Sequence, residues 1–281
     1  MLTDNQKKWQ IEQWTAFLSA QEVPIMPRSK LLIQCMAEQG AETVGARELT
    51  PIVTGDPFLA LRSLRHAESG RSRTLGRETT TPLASLMQIG VEGLCHLVEK
   101  APLCDDFCVG LCHCEFSSTT ASYIARSWAS HRADVSPDEI ALAALLSDIG
   151  EMMLWHFAPE LPEKVNAVLQ GGSILRPVQA QQLAIGFSFK SLSLTLAQAW
   201  NLPPLITQLI RGVDNVRANI ARLANVTAKH VQINPNNPAL PSDIVNIRDF
   251  VMVSDEKLLA PLPVSDEYKQ TILNAIRKDC A

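Results

Sequence analysis

Apolar residues recur at helical spacing along most of the chain. Over residues 4–20 the large apolar side chains fall three or four positions apart, which is typical of an amphipathic helix. We find neither a convincing alternation of period two nor an internal repeat. The pattern predicts further helices over roughly residues 28–39, 57–65, 82–100, 104–130, 137–157, 161–170, 177–185, 189–200, 201–212, 216–231, 242–253 and 265–278. The sequence therefore predicts an all-α fold.

Several predicted helices begin at capping signals. Asp56 and Ser136 are each followed by a proline, Pro57 and Pro137, which is the arrangement of an N-cap residue before a first helical turn. Ser188 is a further candidate N-cap. Because such residues accept hydrogen bonds from the open N–H groups of a first turn, they indicate where helices start.

Other segments are predicted to interrupt helices or to bury them. Residues 66–80 are polar and contain glycine, which predicts an exposed loop. Gly90 predicts a break within its helix. The helix over 137–157 is apolar on nearly every face, as is typical of a helix at the centre of a domain. That position would place its polar pair, Ser147 and Asp148, deep inside.

Composition narrows the class of protein. The 281 residues are 46% apolar and 19% charged, with a net charge of −4, which excludes a disordered chain, a fibrous repeat and a polybasic arm. We therefore expect no nucleic-acid partner. The chain has no uninterrupted apolar run of about 18 residues and no apolar core of the signal-peptide kind at its start. We expect no membrane partner, a cytoplasmic location and reduced cysteines.

Five fragments, in order, resemble the motifs of the HDOD family, a helical relative of the HD phosphohydrolases. Their order and spacing agree with that family over about residues 20–215. The fragments are VPIMP at 23–27, IVTGDP at 52–57, LMQIG at 86–90, ALLSDIG at 144–150 and AWNLP at 199–203. The resemblance implies an HD-like helical bundle and a role in bacterial signal transduction as an output or scaffold. On this basis we predict an N-terminal lobe over 1–105, an HD-like bundle over 106–215 and a C-terminal helical extension over 216–281.

The resemblance also implies where the metal ligands of HD phosphohydrolases would fall. In this chain those positions hold other residue types, and only Asp148 is retained as a candidate ligand. We call the following residues the HD positions: Phe116, Ser147, Asp148, Phe189, Val213 and Asp214. Phenylalanine cannot coordinate a cation, and its ring fills space that a hydrated metal ion needs. We therefore expect a filled site with no catalytic residue, no metal and no cofactor.

Three interpretations of Asp148 stay open. A buried carboxylate needs a hydrogen bond or a charged partner, and Ser117, Ser188 or Lys190 would supply one in a structural role. The second interpretation is a residual weak metal site. The third is a site for a small polar ligand.

These residues lead to two hypotheses about function. The first is a non-catalytic signalling or regulatory module with a protein partner and, as a second candidate, a small phosphorylated ligand. The second is a metal-dependent phosphohydrolase that acts on a nucleotide or a cyclic dinucleotide. It would require additional ligands beside Asp148, for which Glu115, Glu151 and Asp214 are the candidates.

Two further clusters carry chemistry. Cys104, Cys108 and Cys112 are spaced four apart, as on one face of a helix, and Cys95 and Cys114 lie near them. No C-x-x-C motif occurs, so packing is favoured over metal binding or redox chemistry. The second cluster is basic and is either a solvated loop or a contact for phosphate or for an acidic partner. Its candidate contacts are Arg62, Arg65, Arg71 and Arg73, with Arg77 nearby.

Overall fold

The protein is all-α, as the sequence predicts. The computed structural model describes residues 2–38, 44–70, 78–172, 176–212 and 215–279. Within these ranges the regular elements are helices, apart from one isolated parallel β-bridge between Ile25 and Leu103.

The helices follow one another with short connections. A short 3₁₀ helix over Gln6–Lys8 precedes them. The α-helices are α1 (Ile11–Ser19), α2 (Pro27–Glu38), α3 (Ala46–Thr54), α4 (Pro57–Gly70), α5 (Pro82–Glu99), α6 (Val109–Ala129), α7 (Pro137–Leu146), α8 (Ile149–Phe157), α9 (Glu160–Gln170), α10 (Pro177–Ile185), α11 (Phe189–Ala199), α12 (Pro204–Arg211), α13 (Val216–Ile233), α14 (Leu240–Val251), α15 (Asp255–Leu259) and α16 (Asp266–Asp279).

Contacts within the chain define two compact units. The first unit comprises residues 1–115 and 146–203, and the second comprises 116–145 and 204–281. The first unit thus takes residues from both the predicted N-terminal lobe and the predicted bundle. The division predicted from the sequence, at 105 and 215, stays a prediction.

The second unit has its own apolar core. Buried aliphatic side chains from α6, α7 and α13 to α16 pack together around Trp128, which is fully buried. The indole Nε1 of Trp128 donates a hydrogen bond to the carbonyl oxygen of Leu258, 2.8 Å away. A buried indole N–H needs such an acceptor, and this one ties α6 to α15.

Four predicted helix boundaries are wrong. The amphipathic helix predicted over 4–20 begins only at Ile11, after the 3₁₀ helix over Gln6–Lys8. Helix α4 continues to Gly70 instead of ending near Arg65, so the predicted loop over 66–80 starts later, and residues 71–77 lie outside the described ranges. Helix α6 begins at Val109, because the segment before it makes the β-bridge: the Cys104 N–H donates to the Ile25 carbonyl at 3.0 Å. The apolar helix over 137–157 is in fact two helices, α7 and α8.

The predicted capping signals agree better with the structure. Helices α4 and α7 begin at Pro57 and Pro137. The Ser188 hydroxyl accepts the Ser191 N–H at 3.0 Å and caps α11. Gly90 breaks α5 with a φ of 76°, a left-handed conformation that favours glycine.

One described stretch is long and apolar enough to cross a membrane by composition alone. It runs from Pro137 to Phe157, over α7 and α8, and 72% of the window is buried inside the protein. A buried core helix passes the same test, so this stretch is weak evidence for a membrane span.

Candidate functional site

Ser147 and Asp148 occupy the break between α7 and α8. Asp148 stands at the N-cap position of α8, with φ −102° and ψ 17°, and both residues are half-buried instead of deep inside as predicted. Within the described residues of α8, no backbone N–H forms a capping hydrogen bond with the Asp148 side chain. The predicted hydrogen bond from Ser117, Ser188 or Lys190 to Asp148 stays a prediction.

Helix α8 lies very close to α11 just after Asp148. The Gly150 N–H donates to the Ser193 hydroxyl at 3.0 Å, and that hydroxyl donates to the Phe189 carbonyl at 3.2 Å. A Cβ at Gly150 would lie 2.7 Å from the Ser193 backbone nitrogen, so only glycine permits this approach.

Phe189 is locked at the start of α11. Its N–H donates to the Gln181 Oε1 at 3.0 Å, and its side chain is buried, with 6% exposed. The hydrogen bond from the Ser193 hydroxyl to the Phe189 carbonyl oxygen fixes the other side of the Phe189 backbone. A phenyl ring therefore occupies buried volume on the helix that packs against α8, where the resemblance implies an imidazole.

The other HD positions are not equivalent to Phe189. Phe116 belongs to the second unit and its side chain is 46% exposed, so the burial seen for Phe189 does not extend to it. Val213 and Asp214 lie outside the described residues.

Glu115 and Glu151, two of the additional metal ligands that a phosphohydrolase would require, lie in different surroundings. The Glu115 carboxylate is buried and forms an ion pair with Arg28, which also donates to the Gly55 carbonyl at 2.6 Å. Glu151 follows Asp148 in the first turn of α8. Among the described residues, no group of three or more His, Cys, Asp or Glu side chains is placed to hold a metal ion.

A second aspartate in the first unit, Asp56, is completely buried. Its carboxylate accepts the N–H groups of Met26 at 2.8 Å and of Phe58 and Leu59 at 3.0 Å each. Burial raises the pKa of Asp56, while hydrogen bonds from Met26, Leu59 and Ser29 act in the opposite direction. Asp56 therefore caps α4, as predicted, and also anchors the chain ahead of α2.

Arg62 and Arg65 line a pocket of about 700 Å³ in the first unit. We call it the arginine pocket. Arg62 donates to the carbonyl oxygens of Val23 at 2.7 Å and Leu97 at 3.5 Å. The guanidinium carbon of Arg65 lies 5.1 Å from the ring centroid of Trp200, in cation–π contact. The other lining residues are Ser19, Ala20, Gln21, Glu22, His66, Glu68, Ser69 and Asn201.

The sequence identified these two arginines but not Trp200, which follows them by more than a hundred residues. Arg71 and Arg73 lie outside the described residues.

The cysteine cluster does not form one helix face. Cys104 and Cys108 precede α6, and only Cys112 and Cys114 lie on it. Burial raises the pKa of Cys104 to about 12, so its thiol is protonated at neutral pH, which disfavours a role as a nucleophile. The Cys112 thiol donates to the Asp106 carbonyl at 3.1 Å. These contacts favour packing.

One partly buried polar pair, between His230 and Asp243, was not predicted from the sequence. In the second unit the Nδ1 of His230 lies 2.7 Å from the Oδ2 of Asp243, which is buried. Burial raises the pKa of Asp243, and His230 opposes that rise. Neither residue belongs to a motif, and a separation of 13 residues between two helices leaves no sequence signal.

Comparison with known proteins identifies the family. A family model described as the HDOD domain matches residues 24–216, more than half of the chain. The chain belongs to the HDOD domain family. The match covers the five fragments that carry the resemblance, and it leaves most of α13 and all of α14 to α16 outside the HDOD domain. A search of curated proteins finds no significant match.

Solved structures of similar fold exist. The MmoQ response regulator from Methylococcus capsulatus str. Bath is 20% identical, with a TM-score of 0.64, and the match covers 87% of this chain and 99% of that one. A virulence factor from Campylobacter jejuni subsp. jejuni is 17% identical, with a TM-score of 0.70, and the match covers 93% of this chain and 99% of that one. At these sequence identities, the similarity between this HDOD protein and the two solved structures shows a shared fold and nothing about function.

Proposed function

We propose that this HDOD protein is a non-catalytic regulatory module of signal transduction, which acts in the cytoplasm through a protein partner. One observation carries the proposal. On α11, the helix that packs against α8, the chain has Phe189, buried and held by hydrogen bonds at its N–H and its carbonyl. A phenyl ring has no lone pair for a cation.

Hydrolysis of a phosphate ester in the HD manner needs several ligands that converge on a metal, which then activates a water and binds the phosphoryl oxygens. Asp148 alone does not provide that set. Glu115 is engaged with Arg28, which opposes the metal-dependent alternative. The signalling role is proposed from the family, since the likeness to a response regulator concerns the fold.

The proposal is tested by activity measurements with Mn²⁺. We expect no turnover of p-nitrophenyl phosphate, bis(p-nitrophenyl) phosphate or a cyclic dinucleotide above the buffer rate, for the wild type and for Asp148→Ala alike. Turnover in the wild type that is lost in Asp148→Ala would overturn the proposal and establish the metal-dependent phosphohydrolase.

A gain-of-ligand variant tests the reason given. Ser147→His combined with Phe189→His restores two imidazoles at the HD positions, so it should bind Mn²⁺ more tightly than the wild type. Phe157→His, at the end of α8, is the matched control and should leave Mn²⁺ affinity unchanged. Equal affinity in the double variant and the control would show that these residues are not former ligand positions.

A further inference from the structure

The arginine pocket holds guanidinium groups with unused hydrogen-bond donors. The Nε of Arg62 is buried and has no hydrogen-bond partner among the described residues. Arg65 stacks on Trp200, and within the described ranges neither a hydrogen bond nor an ion pair engages its guanidinium. Arginine presents five N–H donors in a fixed plane, and donors left unpaired in a partly buried site are unfavourable.

Burial also opposes the charge on both side chains. It lowers the pKa of Arg62 and of Arg65, and the positive charge of Arg62 lowers the pKa of Arg65 further. Two neighbouring cations therefore share a half-buried pocket. An oxyanion bound beside Arg65 would accept hydrogen bonds from its N–H groups and offset the repulsion between the two cations.

The geometry points to a specific ligand: we infer that the arginine pocket binds a small phosphate monoester or diester of nucleotide size. The volume of about 700 Å³ lies in the range of small-molecule sites and exceeds what a bare phosphate needs. This inference goes beyond the proposed function, because a ligand can bind here whether or not the HD positions support hydrolysis.

Two carboxylates in the pocket limit the negative charge of the ligand that it can bind. Glu22 and Glu68 line the same pocket, so a ligand that carries several negative charges would be repelled by them. Glu22 is exposed, and Glu68 accepts the Thr79 N–H at 2.9 Å. Such a lining favours one phosphate over a polyphosphate chain. The carboxylates, with Asn201 and His66, are suited to hydrogen bonds with hydroxyl or amino groups of the same ligand.

The test is isothermal titration of the full chain with AMP, GMP, ATP and inorganic phosphate. We expect saturable binding of AMP or GMP, with weaker binding of ATP and of inorganic phosphate. Arg65→Gln should weaken nucleotide binding by about tenfold or more, the loss expected for a charge-assisted hydrogen bond. The matched control is Arg222→Gln, at an exposed arginine of α13 that donates to Asn219 at 3.2 Å, and it should bind like the wild type.

A second pocket variant keeps the inference testable if Arg65→Gln fails to fold. Ser69 is exposed at the edge of the pocket, so Ser69→Glu adds a negative charge with little effect on packing and should also weaken binding. The inference is overturned if the wild type binds neither AMP nor GMP, if both pocket variants bind like Arg222→Gln, or if inorganic phosphate binds as tightly as the nucleotides. The first of these results would mean that water alone satisfies the arginines.

Discussion

Asp56 and Asp148 both stand before a helix in the first unit, and both belong to fragments that resemble HDOD motifs. Asp56 is fully buried and accepts three backbone N–H groups. Asp148 is half-buried, and within the described residues of α8 its side chain makes no capping hydrogen bond. Two aspartates in similar sequence contexts therefore differ in burial and in helix capping.

The difference shows how to separate a structural carboxylate from a former ligand. A carboxylate retained for the fold has its oxygens committed to backbone N–H groups, as Asp56 has. A carboxylate retained from a metal site, as we propose for Asp148, would need no such hydrogen bonds to its own helix. The contrast predicts that substitutions at the two positions have unequal effects on stability.

The largest effect is expected for Asp56→Ala. A lost helix cap costs about 1 kcal/mol, and each buried donor left without an acceptor costs about 1–3 kcal/mol. We therefore expect the free energy of unfolding, measured with urea, to fall by roughly 3 kcal/mol or more. Asp148→Ala is the matched control and should cost less than Asp56→Ala, because it removes no helix-capping hydrogen bond. Equal losses would erase the contrast between the two aspartates.

The contact beside Asp148 gives the second largest effect. Gly150→Ala places a methyl group 2.7 Å from the backbone nitrogen of Ser193, which cannot rotate away. Overpacking of this kind costs about 1–3 kcal/mol. In Gly93→Ala the new methyl group lies 2.7 Å from the Cγ2 of Ile89, a side-chain atom that can shift more readily than backbone, and loss of a helical glycine offers up to about 1 kcal/mol in return.

Thermal denaturation of the two glycine variants separates these cases. We expect a lower melting temperature for Gly150→Ala and an equal or higher one for Gly93→Ala. An unchanged melting temperature in Gly150→Ala would contradict the close approach of α8 to α11.

A pH dependence sharpens the account of Asp56. Burial raises the pKa of Asp56 in the folded state, so the folded protein binds this proton more tightly than the unfolded chain does. The contribution of this group to stability is therefore complete below its unfolded pKa of about 3.9 and is lost as the pH rises through the folded pKa.

The measurement is the difference in free energy of unfolding between the wild type and Asp56→Asn, taken from about pH 3.5 to 7 around the unfolded value. It should fall as the pH rises, since asparagine does not titrate. A difference that rises with pH would mean that the backbone hydrogen bonds outweigh burial.

Local signals predicted most of the fold. Proline and serine or aspartate at helix starts act within one turn, so the beginnings of α4, α7 and α11 follow from the sequence. The break at Ser147 and Asp148 did not, because the apolar run continues across it without glycine or proline before the break. The late start of α6 depends on the β-bridge to Ile25, a contact distant in sequence.

The candidate sites were predictable only in part. The family resemblance marked Phe189 and Phe116 alike, yet one is buried and the other is 46% exposed, and burial depends on which helix face meets a neighbour. The basic residues of the arginine pocket were visible as a cluster, but its aromatic wall at Trp200 comes from another helix end. Tertiary packing decides both features.

The most direct test of the central claim is the Mn²⁺ content of the purified chain after equilibration with the metal and desalting. We predict substoichiometric metal, equal in the wild type and in Asp148→Ala, since the described part of the chain has no group of three or more His, Cys, Asp or Glu side chains placed to hold a metal ion. One Mn²⁺ ion per chain in the wild type, lost in Asp148→Ala, would contradict the account.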